Sequence, residues 1–150
     1  MIFKQIRTGK DNKRFEIYKI KTMKGVEMGP AWNTENNPRI TTIGKLLRKY
    51  HIDELPQLWN IIKRDMNLVG PRPERPYFDF ELSTMVNYRW FTRYRVRPGI
   101  MGLAQLRQGY VNTVKGSMRK LRYDLFYIEK RSLGFDLWII WKTIIQTLRG

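Results

Sequence analysis

The spacing of apolar residues near the C-terminus is the feature that most constrains the fold. Apolar side chains recur there at the interval of one α-helical face for about three turns, at Leu137, Ile140, Trp141, Ile144, Ile145 and Leu148. The same spacing runs from Leu55 through Leu58 and Trp59 to Ile62. This second pattern predicts a helix that starts near Asp53, and Asp is a favourable residue to cap a helix. The chain is therefore expected to be rich in amphipathic helices.

The first residues predict a β-hairpin. The segments Phe3–Arg7 and Phe15–Thr22 flank a polar turn, Thr8–Lys13. Residues 24–39 are rich in Gly, Pro and Asn, which is typical of a loop. The N-terminal part of the chain is therefore expected to differ from the helical remainder.

Three more helices are predicted between the hairpin and the C-terminal stripe. Either Thr41 or Thr42 is placed to cap a short helix that runs to about Tyr50. Residues 76–92 are also expected to be helical. Ser117 is placed to cap a third helix, whose inward residues are Met118, Leu121, Leu125 and Ile128.

Proline and glycine mark the breaks between these helices. The segment Gly70–Pro73 is expected to end the second helix in a rigid loop. Residues 93–105 predict a turn followed by a short extended piece. Together these features predict an α+β fold. It is a helix-rich single domain over residues 1–150, with a small N-terminal β-hairpin and amphipathic helices suited to an interface.

The charge balance narrows the class of partner. The 150 residues include 29 Lys and Arg against 13 Asp and Glu, which gives a formal net charge of +16. Such an excess favours an anionic partner, which can be a nucleic acid, an acidic membrane surface or a phosphorylated substrate. The chain has no Cys and a single His, His51, so a disulfide framework, a thiolate metal site and a His-based cluster are excluded.

Two regions are candidates for contact with a membrane. No stretch reaches the ~18 to 20 apolar residues of a spanning helix, and no secretory signal is present. The C-terminal helix, Phe135–Leu148, is too short to span, but its Trp residues and basic flanks suit the interface plane. The alternative is that its stripe packs on the domain; Trp138 and Ile139 lie off the stripe and favour the interface. A second cluster, suited to anionic lipid or an acceptor phosphate, consists of Arg89, Arg93, Arg95 and Arg97.

Two adjacent acids, Asp53 and Glu54, form the candidate chemical site. They stand at the predicted start of a helix, where unpaired backbone N–H groups and the macrodipole favour negative charge. An Asp at that point tends to stay ionised, as a nucleophile or an Mg²⁺ ligand requires, and the same helix end can accept a phosphate. The alternative is that Asp53 is only a cap, because acidic helix starts are common.

The motifs around these acids carry a family resemblance. The segment Asp53–Asn60 reads DELPQLWN, and Asp65–Glu74 reads DMNLVGPRPE. Together they resemble the bacterial sugar transferase family, the monotopic polyprenyl-phosphate phosphoglycosyl transferases. Further segments resemble that family in the expected order: Phe15–Met23, Arg39–Arg48, Tyr94–Ile100, Gly102–Gln105, Tyr123–Ile128 and Asp136. The resemblance covers nearly the whole chain.

The resemblance implies a two-step reaction. An Asp of the family attacks the sugar-linked phosphate of a UDP-sugar, and UMP leaves. Polyprenyl (undecaprenyl) phosphate then attacks the phosphosugar-aspartyl enzyme. By position, Asp53 is the nucleophile and Glu54 its partner, as a base or, together with Asp53, as a ligand of Mg²⁺. Oxygen ligands shared between carboxylates and substrate phosphates suit Mg²⁺.

Three basic residues are candidates for binding the donor phosphates. Arg72 is the first, because a guanidinium can contact two phosphate oxygens at once. Arg48 and Lys19 are the second and third by their motif positions. For each, the alternative is a surface charge or a structural ion pair. Glu74 and Asp124 also match acidic family positions, where they either orient these arginines or the sugar or form structural salt bridges.

The resemblance further implies a place in the cell, at the cytoplasmic face of the bacterial inner membrane as a peripheral or monotopic protein. In the family a re-entrant membrane helix precedes the early strand. Met1 stands almost at that strand, so we expect this chain to lack that helix. A catalytically silent fragment of a transferase therefore remains an alternative. So does a basic nucleic-acid-binding module, although no nucleic acid partner is expected, because no recognised binding motif is present.

Overall fold

The computed structural model describes residues 1–25, 37–86, 88–109 and 113–149. It begins with the predicted hairpin, in which strand β1 (Ile2–Thr8) pairs antiparallel with strand β2 (Arg14–Ile20). The turn between them contains two left-handed residues, Asp11 (φ 55°) and Asn12 (φ 60°), a conformation that Asp and Asn tolerate well. The hairpin is therefore confirmed. Most of the loop predicted over residues 24–39 lies outside the described residues.

Helix α1 (Thr42–Lys49) follows and packs against the end of the hairpin. Thr41 is its N-cap, with Oγ1 accepting a hydrogen bond from the Gly44 amide at 2.9 Å. This confirms the first of the two predicted caps. Gly44 lies so close to the hairpin that a Cβ there would stand 2.3 Å from the carbonyl oxygen of Thr22. Close backbone contact therefore fixes α1 relative to the hairpin.

The next element is a 3₁₀ helix, Ile52–Gln57, which continues into the short helix α2, Leu58–Ile62. The prediction that Asp53 caps this helix is wrong. His51 precedes the helix in the left-handed conformation (φ 55°), and Asp53 is already the second helical residue. The left-handed residue reverses the chain after α1, so the new helix starts one residue earlier than the sequence pattern indicates. Asp53 still lies in the first turn.

A pair of short parallel strands follows. Strand β3 (Asn67–Val69) pairs with β4 (Gly99–Met101), which is the extended piece expected after residue 93. Strand β3 was not predicted, so the loop at Gly70 follows a strand and not a helix. The two strands approach closely, because a Cβ on Gly99 would stand 2.0 Å from the amide nitrogen of Gly70.

The remaining elements are helical: α3 (Pro76–Met85), a 3₁₀ helix (Tyr88–Arg95), α4 (Leu103–Gln108), α5 (Val114–Lys130) and α6 (Leu133–Arg149). The helix predicted over residues 76–92 is therefore divided into an α-helical and a 3₁₀ part. The cap predicted at Ser117 is wrong, since the N-cap of α5 is Thr113, four residues earlier, and Ser117 is buried inside the helix. The fold class is confirmed as α+β.

Two apolar clusters form the core. The first contains Val69, Leu103, Tyr127 and Ile139, and the second contains Phe78, Leu82, Trp90 and Leu121. The first cluster corrects the interpretation of α6. Ile139 is fully buried and Trp138 packs against the cluster, stacked on Phe135 at a centroid distance of 5.8 Å. Trp138 and Ile139, whose position off the stripe favours an interface in the sequence, therefore lie on the side of α6 that faces the core.

Much of the predicted stripe of α6 faces outward. Its exposed members are Leu137, Trp141, Ile144 and Leu148. The helix thus packs on the domain through the residues beside the stripe and through Ile140, and it leaves most of the stripe accessible. Within the part of the chain that the structure describes, every helix is too short or too polar to cross a bilayer.

Candidate active site

The 3₁₀ helix Ile52–Gln57 separates polar and apolar side chains onto opposite sides. Its buried residues are Asp53, Glu54 and Gln57, and both acids are 7% exposed. The apolar residues predicted to share a helical face instead point to solvent, at Leu55, Leu58, Trp59 and Ile62. The sequence pattern correctly places these apolar residues on one face, but that face points to solvent. The opposite face, which carries the two acids, points to the protein interior. Both predicted catalytic acids are thereby brought inside the domain.

Asn60 fixes this helical segment to the hairpin. Its amide Nδ2 donates to the Glu16 carbonyl oxygen at 2.6 Å, and its Oδ1 accepts from the Tyr18 amide at 3.2 Å. The side chain is fully buried, so both contacts are shielded from water and compensate for its desolvation. Asn60 lies in the DELPQLWN motif, yet its role in joining α2 to β2 was not predicted from sequence.

Glu54 binds two of the three predicted phosphate-binding residues. Its Oε1 is 2.7 Å from Lys19 Nζ and 2.5 Å from Arg72 Nη2, and its Oε2 is 3.3 Å from Arg72 Nη1. Burial alone would raise the pKa of Glu54, but the charges of Arg72 and Lys19 outweigh it and hold the pKa well below its usual range. Glu54 is therefore an ionised side chain that holds two cations in place.

Lys19 responds to the same surroundings in the opposite direction. Burial, together with the charge of Arg72, lowers the pKa of Lys19 to about 8, although Glu54 opposes that change. The ammonium group is therefore charged at neutral pH but close enough to its pKa to titrate under mildly alkaline conditions.

Asp53 differs from Glu54 in its contacts. Among the described residues, its carboxylate makes no side-chain hydrogen bond and no ion pair within 4.0 Å. Burial raises the pKa of Asp53 above its ordinary value, while Lys19, Arg48 and Arg72 oppose that rise. Neighbouring cations thus favour the ionised form against the effect of burial. A carboxylate that makes no side-chain hydrogen bond among the described residues, with three cations in its neighbourhood, is suited to attack an anionic phosphate group.

Arg48 reaches the same neighbourhood from α1. Its Nε donates to Thr22 Oγ1 at 2.9 Å. Its charge, like those of Lys19 and Arg72, acts on the pKa of Asp53, so the three predicted phosphate-binding cations lie in the neighbourhood of that carboxylate. The structure therefore brings together all five residues of the predicted centre, Asp53, Glu54, Arg72, Arg48 and Lys19.

The loop that carries Arg72 is held from several directions. Arg7 Nη1 donates to the Pro73 carbonyl oxygen at 3.1 Å, and the Thr8 amide donates to the Glu74 carbonyl oxygen at 2.9 Å. From the other side, Arg93 Nη2 donates to the Arg72 carbonyl oxygen at 2.9 Å. These bonds fix the backbone at Arg72 and in the two residues that follow it, and they limit the directions in which the Arg72 side chain can extend.

Glu74 and Asp124 belong to a buried ion-pair cluster behind this loop. Arg93 Nη2 lies 2.7 Å from Asp124 Oδ2, Arg93 Nη1 lies 3.7 Å from Glu74 Oε1, and Lys120 also pairs with Glu74. Burial alone would raise the pKa of Glu74, but Lys120 and Arg93 lower it to about 2. In this structure the two acids pair with Arg93 and Lys120 and support the loop from behind.

Arg93 corrects one of the sequence predictions. The sequence places it in a basic cluster that faces anionic lipid or an acceptor phosphate, but its side chain is fully buried and lies over the Trp90 ring at 4.4 Å. The other three members, Arg89, Arg95 and Arg97, are exposed. The repeated Arg spacing gave no signal that would separate the buried member from the exposed ones.

The residues present fit Mg²⁺ through Asp53. This carboxylate makes no competing side-chain hydrogen bond within the described ranges, and one or two carboxylates with substrate phosphates and water are a common Mg²⁺ environment. The described residues contain no cluster of three or more acidic or histidine side chains that would form an all-protein cage. Both oxygens of Glu54 already accept from Arg72, and Oε1 also from Lys19. Its role as a second ligand stays a prediction.

Comparison with known proteins supports the resemblance seen in the motifs. The pattern of the bacterial sugar transferase family matches residues 1–150. The UDP-N-acetylgalactosamine-undecaprenyl-phosphate N-acetylgalactosaminephosphotransferase of Aeromonas hydrophila is 39% identical, over 100% of this chain and 36% of that protein. The UDP-glucose:undecaprenyl-phosphate glucose-1-phosphate transferase of Caulobacter vibrioides is 40% identical, over 98% of this chain and 56% of that protein.

A third relative has a length closer to that of this chain. The exopolysaccharide production protein PSS of Rhizobium leguminosarum bv. phaseoli is 34% identical over 99% of the chain and 78% of its own length. By contrast, the chain spans only about a third and about half of the first two relatives. The match over all residues, together with this third relative, shows that the chain belongs to the bacterial sugar transferase family.

Proposed function

We propose that this protein transfers a sugar 1-phosphate from a UDP-sugar to undecaprenyl phosphate through a covalent intermediate on Asp53. The observation that carries the proposal is the contrast between the two adjacent acids. Glu54 is committed to Lys19 and Arg72, whereas Asp53 is buried among the same cations without a side-chain hydrogen bond in the described residues. One acid organises the charges, and the other is available to react.

In the first step, an Oδ atom of Asp53 attacks the phosphorus linked to the sugar. A bond forms between that oxygen and phosphorus, and the bond from phosphorus to the bridging oxygen breaks. The bridging oxygen leaves with the electron pair as part of UMP. The product is a mixed anhydride between the Asp53 carboxyl group and the sugar phosphate. Lys19, Arg48 and Arg72 offset the negative charge that accumulates as two anions approach each other.

In the second step, a phosphate oxygen of undecaprenyl phosphate attacks the same phosphorus. The bond to Asp53 breaks, the carboxylate is regenerated, and undecaprenyl-diphosphate-sugar is released. A phosphate monoester is largely dianionic at neutral pH, so neither displacement requires a proton to be removed from the nucleophile. This is consistent with Glu54, whose lowered pKa makes it a weak base. Glu54 therefore acts by positioning Lys19 and Arg72.

Mg²⁺, when bound, supplies charge neutralisation on the donor diphosphate. Asp53 would hold it together with donor oxygens, while the cations around Asp53 bind and orient the phosphates. Arg72 forms a two-pronged contact with Glu54, which aligns its guanidinium in the neighbourhood of Asp53.

The exposed apolar residues beside the acids support a position at an anionic membrane surface. We refer to them as the α1–α2 apolar surface, which consists of Ile43, Leu46, Tyr50, Ile52, Leu55, Leu58, Trp59 and Ile62. The only acids between residues 42 and 62 are the buried Asp53 and Glu54, whereas exposed Lys45 and Lys49 lie within α1. Apolar side chains with basic neighbours suit the interface of an anionic membrane. We propose that this surface rests on the cytoplasmic face of the bacterial inner membrane, where the acceptor's phosphate lies near the same interface.

The test is to withhold the acceptor and look for the covalent intermediate. The full chain, in a membrane-mimetic detergent with Mg²⁺, is incubated with a panel of UDP-sugars, and intact mass is measured. The expected result is one added sugar phosphate, located on Asp53 by peptide mapping. Asp53→Asn should form no adduct, because a carboxamide of nearly the same shape is a poor nucleophile. Asp11→Asn, an equivalent change in the exposed hairpin turn, should react like the unmodified chain.

Several results would contradict the proposal. UMP release that persists undiminished in Asp53→Asn would exclude the covalent mechanism, and an adduct on Glu54 would reverse the assignment of the two acids. A chain that releases no UMP with any sugar of the panel, in detergent and in nanodiscs, would be the catalytically silent fragment. Salt-dependent binding to random oligonucleotides would favour the nucleic-acid-binding alternative.

A further inference from the structure

Thr22 is a buried residue whose backbone and side chain make different contacts. Its carbonyl oxygen accepts from the Thr41 amide at 3.0 Å and from Thr41 Oγ1 at 3.3 Å. The same carbonyl group lies against Gly44 in α1. The hydroxyl is separate from these contacts and accepts from Arg48 Nε at 2.9 Å. The backbone of Thr22 thus joins the hairpin to α1, while its hydroxyl serves Arg48.

The position of this hydrogen bond on Arg48 has a geometric consequence. Nε is the nitrogen nearest the aliphatic chain, so a bond there restrains rotation of the guanidinium plane. The two Nη groups make no hydrogen bond to the residues that the structure describes, and Arg48 forms no ion pair with Asp53 within 4.0 Å. The Arg48 guanidinium is therefore oriented through its Nε atom, and its two Nη groups can contact two oxygens of a phosphate group.

Burial makes this restraint effective. Thr22 is 5% exposed, so water competes poorly for its hydroxyl and the side chain has little freedom to move. Arg48 is only half-buried, and without its partner the long side chain would sample several rotamers. Holding one rotamer in advance reduces the entropy lost when a ligand binds.

We propose that Thr22 is a positioning residue that directs Arg48 toward the diphosphate of the nucleotide-sugar donor. The inference rests on the proposed function, because it takes a diphosphate as the ligand of Arg48. Thr22 acts through Arg48 and does not itself contact the reacting atoms. The competing interpretation is that the hydroxyl only stabilises the junction between the hairpin and α1.

The two interpretations differ in what removal of the hydroxyl changes. Thr22→Val keeps the shape and all backbone contacts but removes the acceptor. If Thr22 positions Arg48, affinity for UDP in an Mg²⁺ buffer and kcat/KM for the UDP-sugar should both fall by about tenfold, the size expected for one lost charged hydrogen bond. The thermal midpoint should change little. Thr22→Ser retains the hydroxyl and should restore most of the loss.

A double-mutant cycle with Arg48→Met provides the readout that a structural role would not affect. Once the guanidinium is absent, Thr22→Val should cause no further loss of UDP affinity, so the two effects should be strongly non-additive. Thr143→Val is the matched control, since it removes a hydroxyl that donates to the Ile139 carbonyl oxygen within α6. It should leave UDP affinity unchanged. Thr22→Ala also lacks the hydroxyl but adds no methyl group, so it should behave like Thr22→Val if the lost hydroxyl, and not disturbed packing, causes the effect.

The outcomes separate this inference from the proposed function. Unmodified protein that binds UDP-sugar and forms the adduct, with Thr22→Val equally active, would overturn the inference alone. Additive effects in the double variant, or a loss in Thr22→Ser as large as in Thr22→Val, would also assign Thr22 a purely structural role. Unmodified protein that neither binds UDP nor reacts with any UDP-sugar would overturn both.

Discussion

Glu54 and Arg72 form a two-pronged ion pair, with Arg72 Nη2 2.5 Å from Oε1 and Nη1 3.3 Å from Oε2. The guanidinium is thereby aligned by a carboxylate adjacent to the proposed nucleophile, and its backbone is tied to the buried Arg93. The pair explains how a residue between two buried prolines presents its cation in one direction. It also shows that Glu54 and Arg72 should be studied as a unit, because removal of Arg72 leaves the buried Glu54 paired with Lys19 alone, and removal of Glu54 takes away the carboxylate that Lys19 and Arg72 share.

Arg72→Lys should impair turnover although the charge is retained. A lysine cannot reproduce the planar contact with two oxygens, and the loss of a charged hydrogen bond costs roughly 1.5 to 3 kcal/mol. We expect kcat/KM for the UDP-sugar to fall about tenfold or more, with a larger loss in Arg72→Ala. Steady-state kinetics of UMP release measures this, with thermal unfolding as the check on folding. Unmodified kinetics in Arg72→Ala would remove Arg72 from the site.

Lys19 should set an alkaline limit on activity. Burial and Arg72 lower its pKa to about 8, so the ammonium charge beside the acids is lost as pH rises through that value. The profile of kcat/KM reports groups of the free enzyme, and it should therefore decline above about pH 8. In Lys19→Arg the charge persists beyond pH 12, so the decline should disappear between pH 7 and 9 even if the maximum rate is lower. An unchanged alkaline limb in Lys19→Arg would assign it to another group.

The sequence predicted the composition of the centre better than its surroundings. The motifs identified five residues that the structure brings together, because the side chains proposed to act in the reaction stand in the segments that resemble the family. Burial was predicted less well. The spacing from Leu55 to Ile62 revealed a helical face but not which side of it faces the protein, since periodicity is the same for an inward and an outward stripe. The core position of Ile139 on α6 was missed for the same reason.

Other features that the sequence did not predict depend on contacts between residues far apart in the chain. Strand β3 has three residues and pairs with a partner about 30 positions away, so no local pattern reveals it. Arg93 lies among exposed arginines in the sequence and is buried only because Asp124 and Glu74 provide partners from α5 and the Arg72 loop. Such ion pairs depend on the tertiary fold and leave no signal in one segment.

Membrane binding should depend on the α1–α2 apolar surface. Trp59 and Ile62 are 56% and 69% exposed, so changing both to Ser should leave the thermal midpoint unchanged. Their insertion contributes apolar burial, and binding of the full chain to anionic vesicles should weaken by at least about tenfold. Added salt should weaken binding of the unmodified protein as well, because the basic residues interact with anionic lipid. Vesicle co-sedimentation measures both effects, and undiminished binding of the double variant would exclude this surface.

The two Trp residues of α6 should behave differently from each other. Trp138 packs against the core cluster and stacks on Phe135, whereas Trp141 is 55% exposed. We expect Trp138→Ala to lower the free energy of unfolding by about 2 kcal/mol or more, as for other large-to-small changes at packed sites. Trp141→Ala should change it by less than about 0.5 kcal/mol and weaken vesicle binding if the outward stripe of α6 also contacts lipid. Urea unfolding with vesicle binding on both variants separates the two roles, and equal stabilities would contradict the assignment of Trp138 to the core.

Glu74 should make the stability of the protein depend on acid pH. The residue pairs with Lys120 and Arg93, which lower its pKa from 4.5 to about 2 in the folded protein. A carboxyl group with a lowered folded-state pKa stabilises the fold above its unfolded-state pKa, and this contribution is lost as pH falls toward the folded-state value. Glu74→Gln should therefore lower the free energy of unfolding by about 3 kcal/mol near pH 7, because two buried cations then share one remaining acid.

The difference in the free energy of unfolding between Glu74→Gln and the unmodified protein should become smaller at acid pH. Between pH 5 and pH 3 the unmodified protein should lose about 2 kcal/mol of the stability that ionised Glu74 contributes. Each pH unit below the unfolded-state pKa removes about 1.36 kcal/mol. The glutamine variant has no such group to protonate. Glu129→Gln is the matched control, since Glu129 is exposed and pairs with the neighbouring, exposed Lys130. This variant should match the unmodified protein at every pH. Urea unfolding at pH 7, 5 and 3 measures all three proteins. If the difference in the free energy of unfolding between Glu74→Gln and the unmodified protein stays constant from pH 7 to pH 3, Glu74 stabilises the fold by packing and not by its charge.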